Sequence, residues 1–183
     1  IRRERQSALR KCDDKLILVQ DAIQKKLQIR LLGYRSSNSG KINNRVVEPF
    51  KLVDGEYVLG YENGQVKVFR LTRLDRVVVS DDKCQFASTQ EVPDMDAFYM
   101  IGNENIRLRF KMGLRAKNAI LETSHLSEAD LKQCDANKWE VDIYVHSLVP
   151  IMHFYLNYAD DIQIVECEGL MDKVREFIKT HIG

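Results

Sequence analysis

No stretch of this sequence approaches the roughly 18 to 20 consecutive apolar residues that a membrane-spanning helix requires. No charged-then-apolar segment opens it in the manner of a secretion signal. Metal-site spacing is missing too. The four cysteines, Cys12, Cys84, Cys134 and Cys167, are scattered with no C-x-x-C pair, and the four histidines, His125, His146, His153 and His181, form no pair at helical or finger spacing. A zinc site needs three or four converging ligands. None is expected here, nor any cofactor; reduced structural thiols in a cytoplasmic protein are the expectation. Internal repeats and low-complexity tracts are absent. So is an initiator methionine: the chain opens on Ile1 inside the basic stretch "IRRERQSALRKCDDK", which reads as a fragment lacking an upstream segment.

What is present fits an ordinary globular chain. Its 183 residues are 44% apolar and 30% charged, compatible with one large domain or two small ones. The net charge of +1 conceals a segregation. Residues 1–80 hold 17 Lys+Arg against 9 Asp+Glu, a net of +8, and residues 81–183 hold 11 against 18, a net of −7. Charge divided in this way points to two modules, the basic one facing an anionic partner. Attraction between the halves, or to a neighbouring subunit, would explain it equally.

Along the chain, "LILVQDAI" predicts a helix from an Asp13 or Asp14 cap to about Lys26, with Leu16, Val19, Ala22 and Ile23 on one side. Residues 1–26 then form a linker helix or arm. Five strands follow in about 55 residues. They are "LQIRLLGY", "RVVEPFKLV" with Pro49 marking an edge or a bulge, "EYVLGY", "QVKVFRLTRL" and "DRVVVSDD". Asp54-Gly55 and Asn63-Gly64 are hairpin turns. Residues 27–81 are therefore expected to form a small five-stranded β-barrel of the Sm or SH3 type, and residues 82–97 a linker. From 98 to 183 strands ("NIRLRFKM", "KWEVDIYVH", "DIQIVEC") alternate with helices ("LRAKNAILETS", "SLVPIMHFYLNY", "EGLMDKVREFIKTHI"). That alternation fits a ferredoxin-like α+β domain, and the fold class is α+β.

The basic segment combines arginines with aromatic rings. Arg45, Arg70, Arg73 and Arg76 interleave with Tyr34, Tyr57 and Tyr61. Guanidinium forks match phosphate geometry, and aromatic faces stack bases. In a regular strand, however, Arg70 and Arg73 point to opposite faces, so they converge only across a bulge, for which Val68 is the candidate, or a sharp bend. Ser36 and Ser37 could donate to a phosphate. Arg76 reads as solvated, Tyr57 as either core or ligand-facing, and Tyr61 as a packing residue. Asp160-Asp161 suits a turn or cap better than a catalytic pair, and "RRERQSALRK" suits a solvated face better than a DNA contact.

In order and spacing the chain resembles bacterial WYL-domain transcriptional regulators. The matching segments are "AIQKKLQIRLLGY", "NNRVVEP", "EYVLGY" and "FRLTRL", and "YADDIQIVECEGLMDKVREFI" is similar to the C-terminal extension called WCX. Two positions depart from the pattern. Glu56 stands where the name-giving triplet has tryptophan, which removes aromatic stacking there. Thr72 replaces the aspartate of the arginine-rich strand, which loosens the orientation of its neighbour. The resemblance implies a non-enzymatic sensor in which the barrel binds a nucleotide-like or single-stranded nucleic acid ligand. That sensor would control an upstream helix-turn-helix domain bound to promoter DNA, with the WCX part dimerising. Arg45, Arg70 and Arg73 are the expected phosphate donors, with Tyr34, Tyr57 and Ser36 lining the site. The alternative is a stand-alone Sm-like module for RNA or single-stranded DNA. An enzyme would need a convergent nucleophile, base or metal set, and the sequence offers none.

Overall fold

The computed structural model describes residues 2–37, 39–86 and 93–181, and for residues 2–13 the backbone only. Residues 87–92 of the expected linker therefore lie outside the description, as do the side chains of the basic run that opens the chain. The chain divides into two units, Ile1–Val92 and Pro93–Gly183. No helix among the described residues is long and apolar enough to cross a membrane.

In the first unit, helix α1 (Arg2–Lys25) begins well before the expected Asp13 or Asp14 cap. It ends where Lys26 takes a left-handed φ of 53°. Its last turns are no free arm. Val19 and Ala22 are fully buried in the core, with Leu16 and Ile23 packed beside them, the i, i+3, i+7 stripe of an amphipathic helix. Strands β1 (Leu27–Arg35), β2 (Ile42–Val53), β3 (Tyr57–Glu62), β4 (Gln65–Arg70) and β5 (Arg76–Lys83) form one antiparallel sheet in the order β4-β3-β2-β1-β5. Both short turns have positive φ at their two central residues, Asp54 and Gly55 and then Asn63 and Gly64, as tight hairpins require. Pro49 marks a bulge against β3 rather than an edge, since β2 lies inside the sheet.

The expected closed barrel is not formed. β4 and β5 are the two edges of the sheet and do not pair with each other. No bulge occurs near Val68 either: β3 and β4 pair regularly from Glu62↔Gln65 to Tyr57↔Arg70. Instead the chain leaves β4 through a 3-10 turn at Leu71–Arg73. Two leucines draw it inward, Leu71 and Leu74, which are 0% and 1% exposed. Lys15 of α1 satisfies the bent backbone by donating to the carbonyls of Leu74 (2.6 Å) and Leu71 (3.4 Å). Burial of two apolar side chains thus wins over continuation of the ladder.

The second unit runs β6 (Ile106–Met112), α2 (Leu114–Thr123), β7 (Lys132–Asp135), β8 (Lys138–Val145), α3 (Leu148–Tyr158), β9 (Ile162–Glu166) and α4 (Leu170–His181). Its sheet is antiparallel in the order β7-β8-β6-β9, so each β-α-β crossover spans an inserted strand. Leu108, Phe110 and Met112 point to the core with Ala116, Ile120, Ile151, Met152, Leu170 and Val174. On the opposite face Arg107 pairs with Asp142 and Glu166, and Arg109 with Glu140. Asp160 and Asp161 each make a structural contact, as a turn or cap position would. Asp161 reaches across 45 residues to cap α2, its carboxylate accepting from Ala116 N at 2.9 Å, while Asp160 pairs with Arg115. Asp161→Ala should therefore lower the stability of this unit by about 1 kcal/mol. Thermal unfolding checks this, and an unchanged midpoint would mean that the cap contributes nothing.

Candidate anion site

The first unit gathers its polar groups at the end of the sheet where β3 begins and β4 stops. The Asn63-Gly64 hairpin fixes the register, so Arg70 lies directly opposite Tyr57, and its guanidinium carbon sits 5.4 Å from the Tyr57 ring centre. Glu56, the last residue of the Asp54-Gly55 turn, comes level with the 3-10 turn, and its carbonyl accepts from Leu71 N at 2.8 Å. Its carboxylate accepts from Arg70 Nε at 2.7 Å, and Thr72 Oγ1 lies 3.5 Å from the same oxygen.

The turn supplies the sharp bend that the alternation of a straight strand does not. It carries Arg73 round to the loop between β1 and β2, where its guanidinium donates to Ser37 Oγ at 2.8 Å. Arg70 and Arg73 act on a common neighbour. Burial raises the Tyr57 phenol above its ordinary range, the positive charges of Arg70 and Arg73 oppose that rise, and Glu56 and Asp54 add to it. Tyr57 thus remains a neutral ring with a hydroxyl at physiological pH. Ser36 serves the loop itself: its hydroxyl accepts from Ser39 N, and its backbone bonds to Lys41 and Gly40. Arg35 completes the rim, paired with Asp75 at 2.7 Å and donating to Thr72 O at 3.5 Å.

Arg70, Arg73, Tyr57 and the serine loop are therefore brought together, and two of the expected residues are not among them. Arg45 pairs with Glu62 at 3.3 Å, a carboxylate that is 7% exposed and also held by Lys67 at 2.6 Å. Glu62 and Tyr57 are opposite ends of β3, about 16 Å apart along the strand. Arg45 Nε is buried without a hydrogen-bond partner among the described residues. Tyr34 is a core residue, 6% exposed and edge-on to Phe69 at 5.4 Å.

The role of Glu56 as counter-ion to Arg70 is not among the expectations from the sequence. The signal was available: a two-residue turn at Asn63-Gly64 puts 57 opposite 70, and so 56 beside 71. Two further arginines stand on the outer face of the sheet. Arg30 lies between Val46 and Val78 on the neighbouring strands, and Arg76 lies opposite Leu32. Val46 and Val78 are exposed, and neither arginine has an ion pair among the described residues.

Chemically, the guanidiniums of Arg70 and Arg73, the hydroxyls of Ser37 and Tyr57 and the Tyr57 ring suit an anion with a planar group attached. Thiol chemistry is disfavoured at Cys84 and Cys167. Burial, aided by Glu48, pushes the Cys84 thiol up to about 11, and burial alone pushes Cys167 to about 11. Among the described residues no group of three His, Cys, Asp or Glu could hold a metal ion.

Residues 14–79 match the family model described as "WYL domain". No curated protein sequence matches the chain. Among solved structures, proteasome accessory factor B/C (PafBC) of Arthrobacter aurescens is similar at 16% identity and a TM-score of 0.42, with 94% of this chain and 28% of that one covered. A CRISPR Cas-related protein is similar at 10% identity and a TM-score of 0.46, with 92% and 51% covered. The chain spans about half or less of the length of these two structures.

Proposed function

From a chain whose residues 14–79 are a WYL domain, we propose a ligand-sensing, non-enzymatic regulatory module of a cytoplasmic bacterial transcriptional regulator. Its ligand is a nucleotide-like molecule or a single-stranded nucleic acid. The Sm-like sheet module receives it, the ferredoxin-like second unit serves dimerisation, and promoter DNA is engaged by a helix-turn-helix domain upstream. The observation that carries this reading is Arg70 set over the Tyr57 ring while Arg73, carried round by the 3-10 turn, donates to Ser37 of the neighbouring loop. Arg70 and Arg73 hold phosphate, Tyr57 stacks or donates, and Ser37 adds a hydroxyl. Arg45, Tyr34 and Ser36 keep the sheet and loop in place around them.

The test is a fluorescence-anisotropy titration of the chain with a labelled oligothymidylate of about twelve nucleotides, at two salt concentrations. The expected result is saturable binding that weakens as salt rises. Absence of binding at low salt, to this probe and to a labelled nucleotide alike, would overturn the reading.

A second reading, a stand-alone single-strand binder, draws on Arg30 and Arg76. On it the open sheet face, with Val46 and Val78, tracks the nucleic acid backbone. Replacing Arg30 and Arg76 by alanine would then abolish binding, whereas the first reading expects little change.

A further inference from the structure

We propose that Glu56 is an internal anion that sets the affinity of the site: its carboxylate occupies Arg70 in the unliganded domain, and a ligand phosphate binds by taking its place. The inference rests on the reading that Arg70 and Arg73 hold an anionic ligand. One oxygen of Glu56 lies 2.7 Å from Arg70 Nε and 3.5 Å from Thr72 Oγ1, so a guanidinium and a hydroxyl face a single anionic oxygen. That is the donor geometry a phosphate oxygen would meet. Both side chains of the pair are reachable from solvent, at 38% exposure for Arg70 and 31% for Glu56. Exchange of one anion for another therefore needs no opening of the core.

The two arginines differ in this respect. Arg73 has a neutral hydroxyl as its hydrogen-bonded partner, which a ligand phosphate can join without expelling a charge. At Arg70 the incoming phosphate meets a carboxylate of its own sign, and the two repel unless Glu56 turns outward to water. The first contact is thus made at Arg73 and the selective one at Arg70. Only a ligand that replaces the interaction Glu56 already provides gains the second arginine. Glu56 belongs to the short Asp54-Gly55 turn, and its backbone stays pinned by the bond from Leu71 N, so the side chain swings while the turn stays.

Glu56→Gln keeps the shape and an oxygen for Arg70 Nε but removes the charge. It should tighten binding of the oligothymidylate probe by about tenfold, with the thermal midpoint essentially unchanged. Asp81→Asn makes the same change in net charge on an exposed residue of β5 and should leave affinity where it is. Adding Arg70→Ala and Arg73→Ala to Glu56→Gln should abolish the gain. Binding by the wild type that tightens in Glu56→Gln alone supports the inference. Unchanged or weaker binding in Glu56→Gln, with normal binding by the wild type, overturns it: Glu56 then orients Arg70 rather than competing for it, and the ligand reading stands. An equal gain in Asp81→Asn also overturns it, by making the effect one of net charge. If neither wild type nor Glu56→Gln binds, the ligand reading fails and the inference with it.

Discussion

Replacing Arg70 and Arg73 together by alanine is expected to weaken binding of a single-stranded oligonucleotide by a hundredfold or more while leaving the fold intact. A hydrogen bond to a charged group contributes about 1.5–3 kcal/mol, and removing two such bonds at once corresponds to at least two decades in affinity. The salt dependence should change as well. Each single-strand phosphate neutralised contributes about 0.7 to the slope of log affinity against log salt, so the double variant should lose about 1.4 of it. The fold has little to lose. Arg70 and Arg73 lie on the rim, and among the groups they contact are a carboxylate 31% exposed and an exposed serine hydroxyl, both of which water can solvate. Anisotropy and thermal unfolding on the same protein separate the two effects. Unfolding of the double variant would show that the arginines hold the structure together instead.

The second large effect is on stability and lies at Glu48. Its carboxylate is buried, 6% exposed, and accepts from Gln28 Nε2 at 3.1 Å, Gln85 N at 2.8 Å and Phe86 N at 2.7 Å. It fastens the segment after β5 against the sheet. Glu48→Ala strands those donors, and the expected loss is about 2–4 kcal/mol. For a unit of this size each kcal/mol moves the midpoint by about 4–8 °C, so the shift should be about 8 °C or more. A chemical readout accompanies it. Cys84 is pushed up to about 11 first by burial and then by the Glu48 charge. In the wild type, Cys84 and Cys167 should resist iodoacetamide at mildly alkaline pH, while the exposed Cys134 is alkylated. In Glu48→Ala the Cys84 peptide should become labelled. Stability unchanged, with Cys84 still protected, would contradict the account.

Much of this was legible in the residues, for identifiable reasons. Asp54-Gly55 and Asn63-Gly64 announced their turns because few residue types accept left-handed φ at two successive positions. In the second unit, Leu108, Phe110 and Met112 alternate with Arg107, Arg109 and Lys111, and the structure places those two sets on opposite faces. Strand β7, "KQCD", escaped notice because all four residues are exposed and carry no apolar alternation. The closed barrel was a misjudgement of competition: Leu71 and Leu74 look like strand residues, but their burial bends the chain out of the sheet. Long-range partners left no periodic trace. Nothing near Asp161 in sequence says that it caps a helix at an amide 45 residues earlier, and nothing near Arg45 names Glu62. Bringing Arg70 and Arg73 to one end of the sheet required a bulge or a sharp bend, and the 3-10 turn is the bend, with no bulge at Val68.

The most direct measurement is a proton–nitrogen correlation spectrum of the arginine side chains during titration with the oligothymidylate, with each Nε–Hε signal assigned by single substitution. The account predicts that the Arg70 and Arg73 signals move together and saturate. The Arg45 signal, held beside Glu62 at the far end of β3, should stay in place. Movement confined to Arg30 and Arg76, with Arg70 and Arg73 still, would contradict the central claim and transfer the ligand to the outer face of the sheet.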